Sequence, residues 1–359
     1  MTEKEIWDEA YRRLFAIYGE NVDLSIVSRL QSERAALARY GAGKYFYGLA
    51  ELRKQAKASG QLFAVKTTAA SCLASYLLGA TDENPLSPHY LCPKCKLRLR
   101  MGRGFVLDLD ERTCVCGERM VADGFDIPYE TFLPYAVDCK DATLLFEKEI
   151  AAYRHNTLSG VDALCRRLAA LTGVPTDSVP LADRAVRHRL LSGEFDRVAG
   201  VFPSQRLKKM IARARPQSYG ELLTVLGLAN SMGAWRKNAE RLLRTGACTL
   251  AEIPATRDDL FLKVRTATQM CRFADTGFAL AVTEQAYTGY YLVYGMDAYT
   301  ARQLAMLGLP DWLGGYLCGV HHMTCKARTV QQLKYTVLLC WYRLYFPKEY
   351  AHAAGEPLT

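Results

Sequence analysis

The sequence NPLSPHYLCPKCK at residues 84–96, followed by RTCVCGERMVADGFDIPYETFL at residues 112–133, decides how this part of the chain folds. It contains two close pairs of cysteines separated by eighteen residues, Cys92 with Cys95 and Cys114 with Cys116. Two tight turns that each present two thiolates to a common point can complete the tetrahedral shell of one Zn²⁺. The spacing therefore predicts a structural zinc site in a small zinc ribbon. The alternative is a pair of turns with free thiols.

The residues between the cysteine pairs are basic. KLRLRM at residues 96–101 alternates cations with apolar residues, which is the period of a β-strand. A strand here would turn three apolar side chains inward, those of Leu97, Leu99 and Met101. Its other face would carry three cations, Lys96, Arg98 and Arg100. Such a row either contacts a polyanion or is a solvated face, and the sequence leaves both interpretations open.

Length and composition indicate a globular protein with room for two or three subdomains. Half of the 359 residues are apolar, and the net charge of +9 suits a polyanionic partner. Twelve cysteines in a chain without a recognisable secretion signal predict a reducing compartment, which is the cytoplasm. Since no run of 18 uninterrupted apolar residues occurs, we expect no transmembrane helix and no membrane partner.

Apolar residues at helical spacing predict helices along most of the chain. Three of them begin the sequence, at Ile6–Tyr18, Ile26–Tyr40 and Lys44–Ser59. Gly19 and Gly41 are suitable residues to end the first two. Farther along, an apolar stripe at i, i+3, i+4 and i+7 predicts an amphipathic helix with cations on its other faces; its members are Leu207, Met210, Ile211 and Ala214.

The cysteine-containing stretch resembles a segment of a known protein family. NPLSPHYLCPKCK and DGFDIPYETFL are similar to the zinc-containing segment of the PolC-type DNA polymerase III alpha subunits of Gram-positive bacteria. Weaker similarity extends from about Tyr11 to His352. The resemblance implies an α+β, mostly helical fold, with a remnant polymerase palm, an inserted zinc ribbon and a helical fingers-like domain. The implied segments are a helical lead-in and palm remnant at 1–83, the zinc ribbon at 84–133, a degenerate palm remnant at 134–160 and the fingers-like domain at 161–359.

The turn that binds the incoming triphosphate in that family is altered here. LFAVKTTAASC at residues 62–72 stands in its place. The family's glycine positions hold Ala64, Thr67 and Ala70, and Lys66 replaces an arginine. Because a Cβ obstructs close approach of the backbone to phosphate, the substitutions favour an ordinary turn before a helix at 69–78.

The metal-binding carboxylates of the family are also incomplete. Polymerases hold two Mg²⁺ ions with paired aspartates, and here Asp141 is the candidate for the first while Thr143 stands at the second. The third carboxylate has no counterpart, because about a hundred palm residues are missing between Ile150 and Gly160. Mg²⁺ would therefore be a cofactor only if some polymerase activity survives.

The resemblance implies that basic residues spread along the chain contact nucleic acid. Trp235–Gly246 matches a fingers segment in which Arg241 and Arg244 add positive charge, and Gly246 is expected to end its helix. The predicted nucleic-acid contacts are Lys66, Lys96, Arg98, Arg100, Arg206, Lys209, Arg213, Arg236, Lys237 and Lys326. Surface solubility is the competing explanation for these charges.

We therefore expect a catalytically inactive PolC-like homologue, associated with the nucleoid, that binds DNA as primer–template or single strand, or binds a replication protein. One alternative is a residual DNA-directed DNA polymerase. It would use Asp138, Asp141 and either Glu147 or Glu149. Another alternative is a zinc-stabilised protein-interaction module that does not bind nucleic acid. The sequence does not indicate the oligomeric state.

Overall fold

The structure, a computed structural model, describes residues 1–59, 68–102, 104–154, 158–193, 205–271 and 276–355. These residues are mostly helical and include one small antiparallel sheet, as the sequence predicts. They form two compact units, the first mainly from Met1–Val186 and Lys334–Thr359 and the second mainly from Pro203–Leu333. None of the described helices is long and apolar enough to cross a bilayer. The division into four segments stays a prediction.

The helices of the first 172 residues are α1 Glu3–Tyr18, α2 Leu24–Leu37, α3 Ala42–Ala58, α4 Leu73–Leu78, α5 Leu133–Cys139, α6 Ala142–Arg154 and α7 Leu158–Thr172. The next ones are α8 Arg184–Ser192, α9 Gln205–Ala214, α10 Tyr219–Asn230, α11 Glu240–Arg244, α12 Arg257–Met270 and α13 Thr276–Tyr287. The last are α14 Tyr290–Tyr294, α15 Ala298–Met306, α16 Trp312–Cys318, α17 Lys326–Tyr345 and α18 Pro347–Ala354. Short 3-10 helices cover Ala38–Tyr40, Thr68–Ser71, Val106–Asp108, Tyr129–Phe132, Thr176–Ser178 and Leu250–Glu252.

The three N-terminal helices lie where apolar spacing predicts them. A capping box begins α1, in which the Glu5 N–H donates to the Thr2 hydroxyl at 3.3 Å and the Thr2 N–H donates to the Glu5 carboxylate at 2.7 Å. The helix ends at Gly19, as predicted, with the Gly19 N–H bonded to the Phe15 carbonyl. Trp7, Leu14 and other apolar residues of α1 pack into the core of the first unit.

A buried ion pair joins α2 to the start of α4. Arg29 Nε donates to Glu33 Oε1 at 2.7 Å, and the Glu33 side chain is fully buried. The same carboxylate accepts the backbone N–H groups of Leu73 at 2.8 Å and Ala74 at 3.0 Å. Since the first N–H groups of a helix have no partner within it, Glu33 supplies an acceptor for two of those at the α4 N-terminus.

The first cysteine pair lies in the connection between the first two strands of the sheet. It consists of β1 His89–Leu91, β2 Arg98–Arg100 and β3 Val121–Asp123, with β1 in the middle and both pairings antiparallel. Tyr90 on β1 lies opposite Leu99 on β2 and Ala122 on β3. These side chains pack with the cysteines in a small cluster of their own.

The second unit has its own apolar core, to which α9, α10 and α12 contribute. Leu207, Met210 and Ile211 of α9 are buried, which confirms the predicted apolar stripe, while Arg206, Lys209 and Arg213 are exposed. Between α10 and α11 the chain forms an irregular π-helical segment, Trp235–Ala239, that is broken at Arg236 and Lys237. Gly246 ends α11 as predicted, because its N–H and that of Ala247 bond to the last carbonyls of the helix.

Candidate metal centre and basic cleft

The four cysteines predicted to bind zinc come together in the structure. The Sγ atoms of Cys92 and Cys116 lie 3.5 Å apart, and those of Cys95 and Cys114 lie 3.4 Å apart. All four sulfurs lie within 4.8 Å of one another. Four sulfurs at about 2.3 Å from a tetrahedral Zn²⁺ are separated by about 3.8 Å. The donor set and its spacing therefore fit a metal such as Zn²⁺.

Backbone hydrogen bonds hold each cysteine turn in shape. In the first turn the Cys95 N–H donates to Cys92 Sγ at 3.4 Å, and the Lys96 N–H donates to the Cys92 carbonyl at 3.1 Å. In the second, the Gly117 N–H donates to the Cys114 carbonyl at 2.9 Å. These hydrogen bonds join residues within each turn. The C-x2-C pair and the narrower C-x-C pair therefore both form a tight turn.

The electrostatics of the first turn favour the thiolate that a metal needs. Burial tends to raise the pKa of Cys92, but the backbone N–H of Cys95 and the neighbouring thiols outweigh it and lower that pKa to about 6. At Cys114 the Cys116 N–H favours the thiolate, whereas burial and the adjacent sulfurs raise the pKa to about 12. Above pH 6, Cys92 would therefore bind a metal without first losing a proton, whereas Cys114 would have to release one.

The basic strand differs from its prediction. Only Arg98–Arg100 is a strand, because Lys96 has φ 62° and lies in the cysteine turn. Leu97, predicted to point inward, is 37% exposed, whereas Leu99 and Met101 do pack against the cysteine cluster. Because Lys96 has a left-handed backbone conformation, the alternation of cationic and apolar side chains begins only at Arg98. Lys96 is therefore not in one row with Arg98 and Arg100.

Two of those cations are paired with an acidic residue far away in the sequence. Arg98 Nη1 lies 3.4 Å from Asp23 Oδ2, and Arg100 contacts the same carboxylate and donates to Ser25 Oγ at 2.8 Å. The N–H and hydroxyl of Ser25 and the guanidinium of Arg100 lower the pKa of Asp23 to about 2. The contribution of Arg98 and Arg100 to nucleic-acid binding stays a prediction, and Asp23 offsets part of their charge.

The second unit contains a basic cleft of about 980 Å³. Five cations line it, Arg213, Arg215, Lys237, Arg241 and Arg244, together with two acids, Glu221 and Glu240. All five cationic residues are exposed. Arg213 and Lys237 were predicted as nucleic-acid contacts, whereas Arg241 and Arg244 were predicted only to add local charge. Arg241 and Arg244 are three residues apart, so both lie on the same face of α11. This spacing is the sequence signal that could have identified them as residues of one site.

Irregular backbone brings two of these cations to the cleft. Lys237 has φ 60° and Arg215 has φ 50°, a conformation that is uncommon for residues other than glycine. The break at Lys237 is held by Asn238, whose Nδ2 donates to the Tyr316 carbonyl at 2.9 Å and the Gly233 carbonyl at 3.2 Å. Trp235 is buried next to it. Sequence periodicity could not have predicted either conformation.

The remaining predicted contacts that the structure describes do not line the cleft. Arg206, Lys209 and Arg236 are exposed elsewhere on the second unit. Lys326 is largely covered, with Nζ 3.1 Å from Asp259 Oδ1 and its backbone N–H 2.6 Å from Asp258 Oδ2. Lys66 and most of the altered phosphate turn lie outside the described residues.

The carboxylates that the alternative polymerase would use do not form a cluster. Asp138 lies on α5 and is exposed. Asp141 caps α6, because its Oδ1 accepts the Leu144 N–H at 3.0 Å. Glu149 is fully buried and accepts the Tyr45 hydroxyl at 3.0 Å. Within the part of the chain that the structure describes, the cysteines are the single group of three or more metal-ligating side chains close enough to share an ion.

Comparisons with known proteins agree with the resemblance seen in the sequence. The family described as bacterial DNA polymerase III alpha NTPase domain matches residues 3–154. The DNA polymerase III PolC-type of Caldanaerobacter subterraneus subsp. tengcongensis is 21% identical over 97% of this chain and 33% of its own length. That of Staphylococcus aureus strain MW2 is 20% identical over 97% of this chain and 32% of its own length. The chain is therefore a distant homologue of PolC-type DNA polymerase III alpha over nearly all of its residues.

The chain spans about one third of the length of the curated relatives that it matches. The alignment with the Caldanaerobacter protein covers 480 residues, which is longer than this chain of 359. The alignment must therefore include residues of the Caldanaerobacter protein that have no counterpart in this chain. That these residues are missing as one block near Ile150 stays a prediction.

Proposed function

We propose that this homologue of PolC-type DNA polymerase III alpha binds DNA through the basic cleft of its second unit and does not polymerise. The observation that carries the proposal is the convergence of Arg213, Arg215, Lys237, Arg241 and Arg244 on one cleft. Glu221 and Glu240 offset only part of this charge. A surplus of cations in a confined space attracts the phosphates of a nucleic acid and releases its counterions.

The chemistry of the cleft suits a phosphate backbone better than a small neutral ligand. Guanidinium groups donate several hydrogen bonds in a plane and pair well with phosphate oxygens. Arg241 and Arg244 lie one turn apart on α11, so they can contact neighbouring phosphates of one strand. Trp235 is buried, and the hydrogen bonds of Asn238 fix the backbone at Lys237. This side of the cleft is therefore preorganised, which lowers the entropic cost of binding.

The proposed lack of polymerisation is supported by the state of the carboxylates. Two-metal phosphoryl transfer needs acidic side chains that hold both ions against the reacting oxygens. Thr143 cannot supply the charge of an aspartate, and Asp141 is already bonded to the α6 N-terminus. The replacement of the family's glycines by Ala64, Thr67 and Ala70 in the turn at 62–72 also supports the lack of polymerisation.

The cysteine centre has a structural role in this proposal. Four cysteines fill the tetrahedral shell of Zn²⁺ and leave no position for a substrate or an activated water. Tyr90 and Met120 pack around the buried Cys92 and Cys114. The metal would therefore fix a three-stranded sheet that is too small to be stable alone. We place the protein at the nucleoid in the cytoplasm, where a replication protein is a further candidate partner.

The test combines equilibrium binding to a fluorescent primer–template with primer extension by the same preparation in Mg²⁺ or Mn²⁺. We expect binding that weakens steeply with salt and extension no greater than in a mock preparation. Extension above the mock would overturn the inactive assignment. Absence of salt-dependent binding would overturn DNA binding and would favour a zinc-stabilised protein-interaction module.

A further inference from the structure

A short helix of the second unit exposes aromatic rings to solvent. In α14, Tyr290 is 45% exposed and Tyr294 is 74% exposed, and Tyr299 at the start of α15 is 67% exposed. Their neighbour Tyr291 is buried and fixes the helix to the core. Large exposed rings are unfavourable in water unless they serve a contact, so this group calls for a functional explanation.

Tyr290 and Tyr294 form a defined pair, which we call the tyrosine platform. Their ring centroids are 4.7 Å apart with an interplanar angle of 41°. Gly289 immediately precedes the helix that carries them. Its backbone lies against the loop at His321, since a Cβ built at Gly289 would lie 2.5 Å from the His321 carbonyl oxygen. This close approach leaves the platform little freedom to move.

The loop at His321 also contacts the segment that leads into the basic cleft. The His321 N–H donates to the Met232 carbonyl at 2.8 Å. A Cβ built at Gly233 would lie 2.3 Å from the Gly319 carbonyl oxygen, so these backbones touch. Lys237, which lines the cleft, follows Gly233 by four residues. The start of the platform helix and the segment that leads into the cleft therefore both contact the same loop, in the same compact unit.

We propose that the tyrosine platform stacks the unpaired bases of a single-stranded nucleic acid whose phosphates lie in the basic cleft. The inference rests on the proposed function and adds to it the form of nucleic acid that is preferred. Bases stack on aromatic side chains without sequence preference, but only when they are not already stacked within a duplex.

The charges around the tyrosine platform are compatible with a nucleic-acid strand. Residues 288–306 contain one acid, Asp297, and one cation, Arg302. Both oxygens of Asp297 are used at the α15 N-terminus, bonded to the Thr300 N–H at 2.8 Å and the Thr300 hydroxyl at 2.7 Å. The platform is thus close to neutral and does not repel a strand that the cleft attracts.

Two probes of equal length and charge test the platform: a fluorescent oligo(dT) and a fully abasic strand, each titrated at the same low salt. The platform predicts tighter binding of oligo(dT). The Tyr290→Ala/Tyr294→Ala variant should lose about 5- to 150-fold in affinity for oligo(dT) and nothing for the abasic strand. The Tyr290→Phe/Tyr294→Phe variant, which keeps the rings, should bind both probes as the unsubstituted protein does.

The abasic strand is also the folding control, because a misfolded variant would lose both probes. Equal affinity of the unsubstituted protein for the two probes would overturn the platform and leave the proposed function intact. Binding of neither probe would overturn both. If the alanine variant binds oligo(dT) normally but sediments as a smaller species than the unsubstituted protein, the rings belong to a contact between two copies, and base stacking is wrong.

Discussion

Arg213 donates a hydrogen bond to Glu240 at the basic cleft, so one of the cleft's cations is already paired with an acid of the same cleft. Both side chains reach the same cleft, and the Arg213 side chain is 62% exposed. A phosphate entering the cleft competes with Glu240 for Arg213. The acid should therefore weaken the proposed DNA binding even though it forms an ion pair.

Glu240→Gln should strengthen DNA binding. The substitution frees Arg213 and removes a negative charge, and an exposed pair of this kind is worth up to about 1 kcal/mol, or about a 2- to 5-fold gain in affinity. Fluorescence anisotropy with primer–template at low salt measures it. Glu20→Gln changes an exposed acid of the first unit by the same charge and should have no effect. Equal gains in both variants would mean that only net charge matters.

The cysteine centre should hold about one Zn²⁺ per chain. Replacing Cys92 and Cys95 together with serine removes half of the ligands, so the metal should be lost and the melting temperature should fall. Cys271→Ser is the matched control, because Cys271 is an exposed cysteine outside the cluster. Zinc content by atomic absorption distinguishes the two. Retention of zinc in the double variant would contradict the assignment.

Zinc affinity should depend more steeply on pH below about pH 6 than above it. The pKa of Cys92 is lowered to about 6, so above that pH its sulfur is a thiolate and releases no proton when the metal binds. Below that pH one more proton must leave, and the slope of log affinity against pH should rise by about one. Competition with a chelating dye from pH 5 to 8 measures the slope. A constant slope would show that Cys92 has an ordinary thiol pKa.

Arg29 and Glu33 should be strongly coupled in a double-mutant cycle. Either Arg29→Met or Glu33→Leu leaves a buried charge without its partner, which costs about 3–5 kcal/mol in the free energy of unfolding. The double variant should lose much less than the sum, because both charges are gone. Urea denaturation of the four proteins gives the coupling energy. Additive losses would contradict a direct pair.

Local sequence signals predicted the parts of this fold that local interactions determine. Gly19 marks the end of α1, and the stripe through Leu207 identifies the buried side of α9. The cysteine spacing predicted the cluster, because each pair is held by hydrogen bonds within its own turn. Such features depend on residues a few positions apart.

Contacts between distant residues could not be predicted in this way. Asp23 pairs with Arg98 and Arg100, more than seventy positions later, and Lys326 pairs with Asp259. Periodicity carries no information about such partners, so the charges were all interpreted as potential nucleic-acid contacts. The left-handed Lys96 and Lys237 were missed for another reason, since neither is a glycine or an asparagine.

The salt dependence of primer–template binding tests the central claim most directly. Log affinity is measured against log salt for the unsubstituted protein, for Arg241→Ala/Arg244→Ala and for Arg166→Ala/Arg167→Ala, which removes two exposed arginines from α7. If the cleft neutralises DNA phosphates, the slope of the Arg241/Arg244 variant should be shallower by about 1.8, and the α7 variant should keep the original slope. Equal slopes for all three proteins would contradict DNA binding through the cleft.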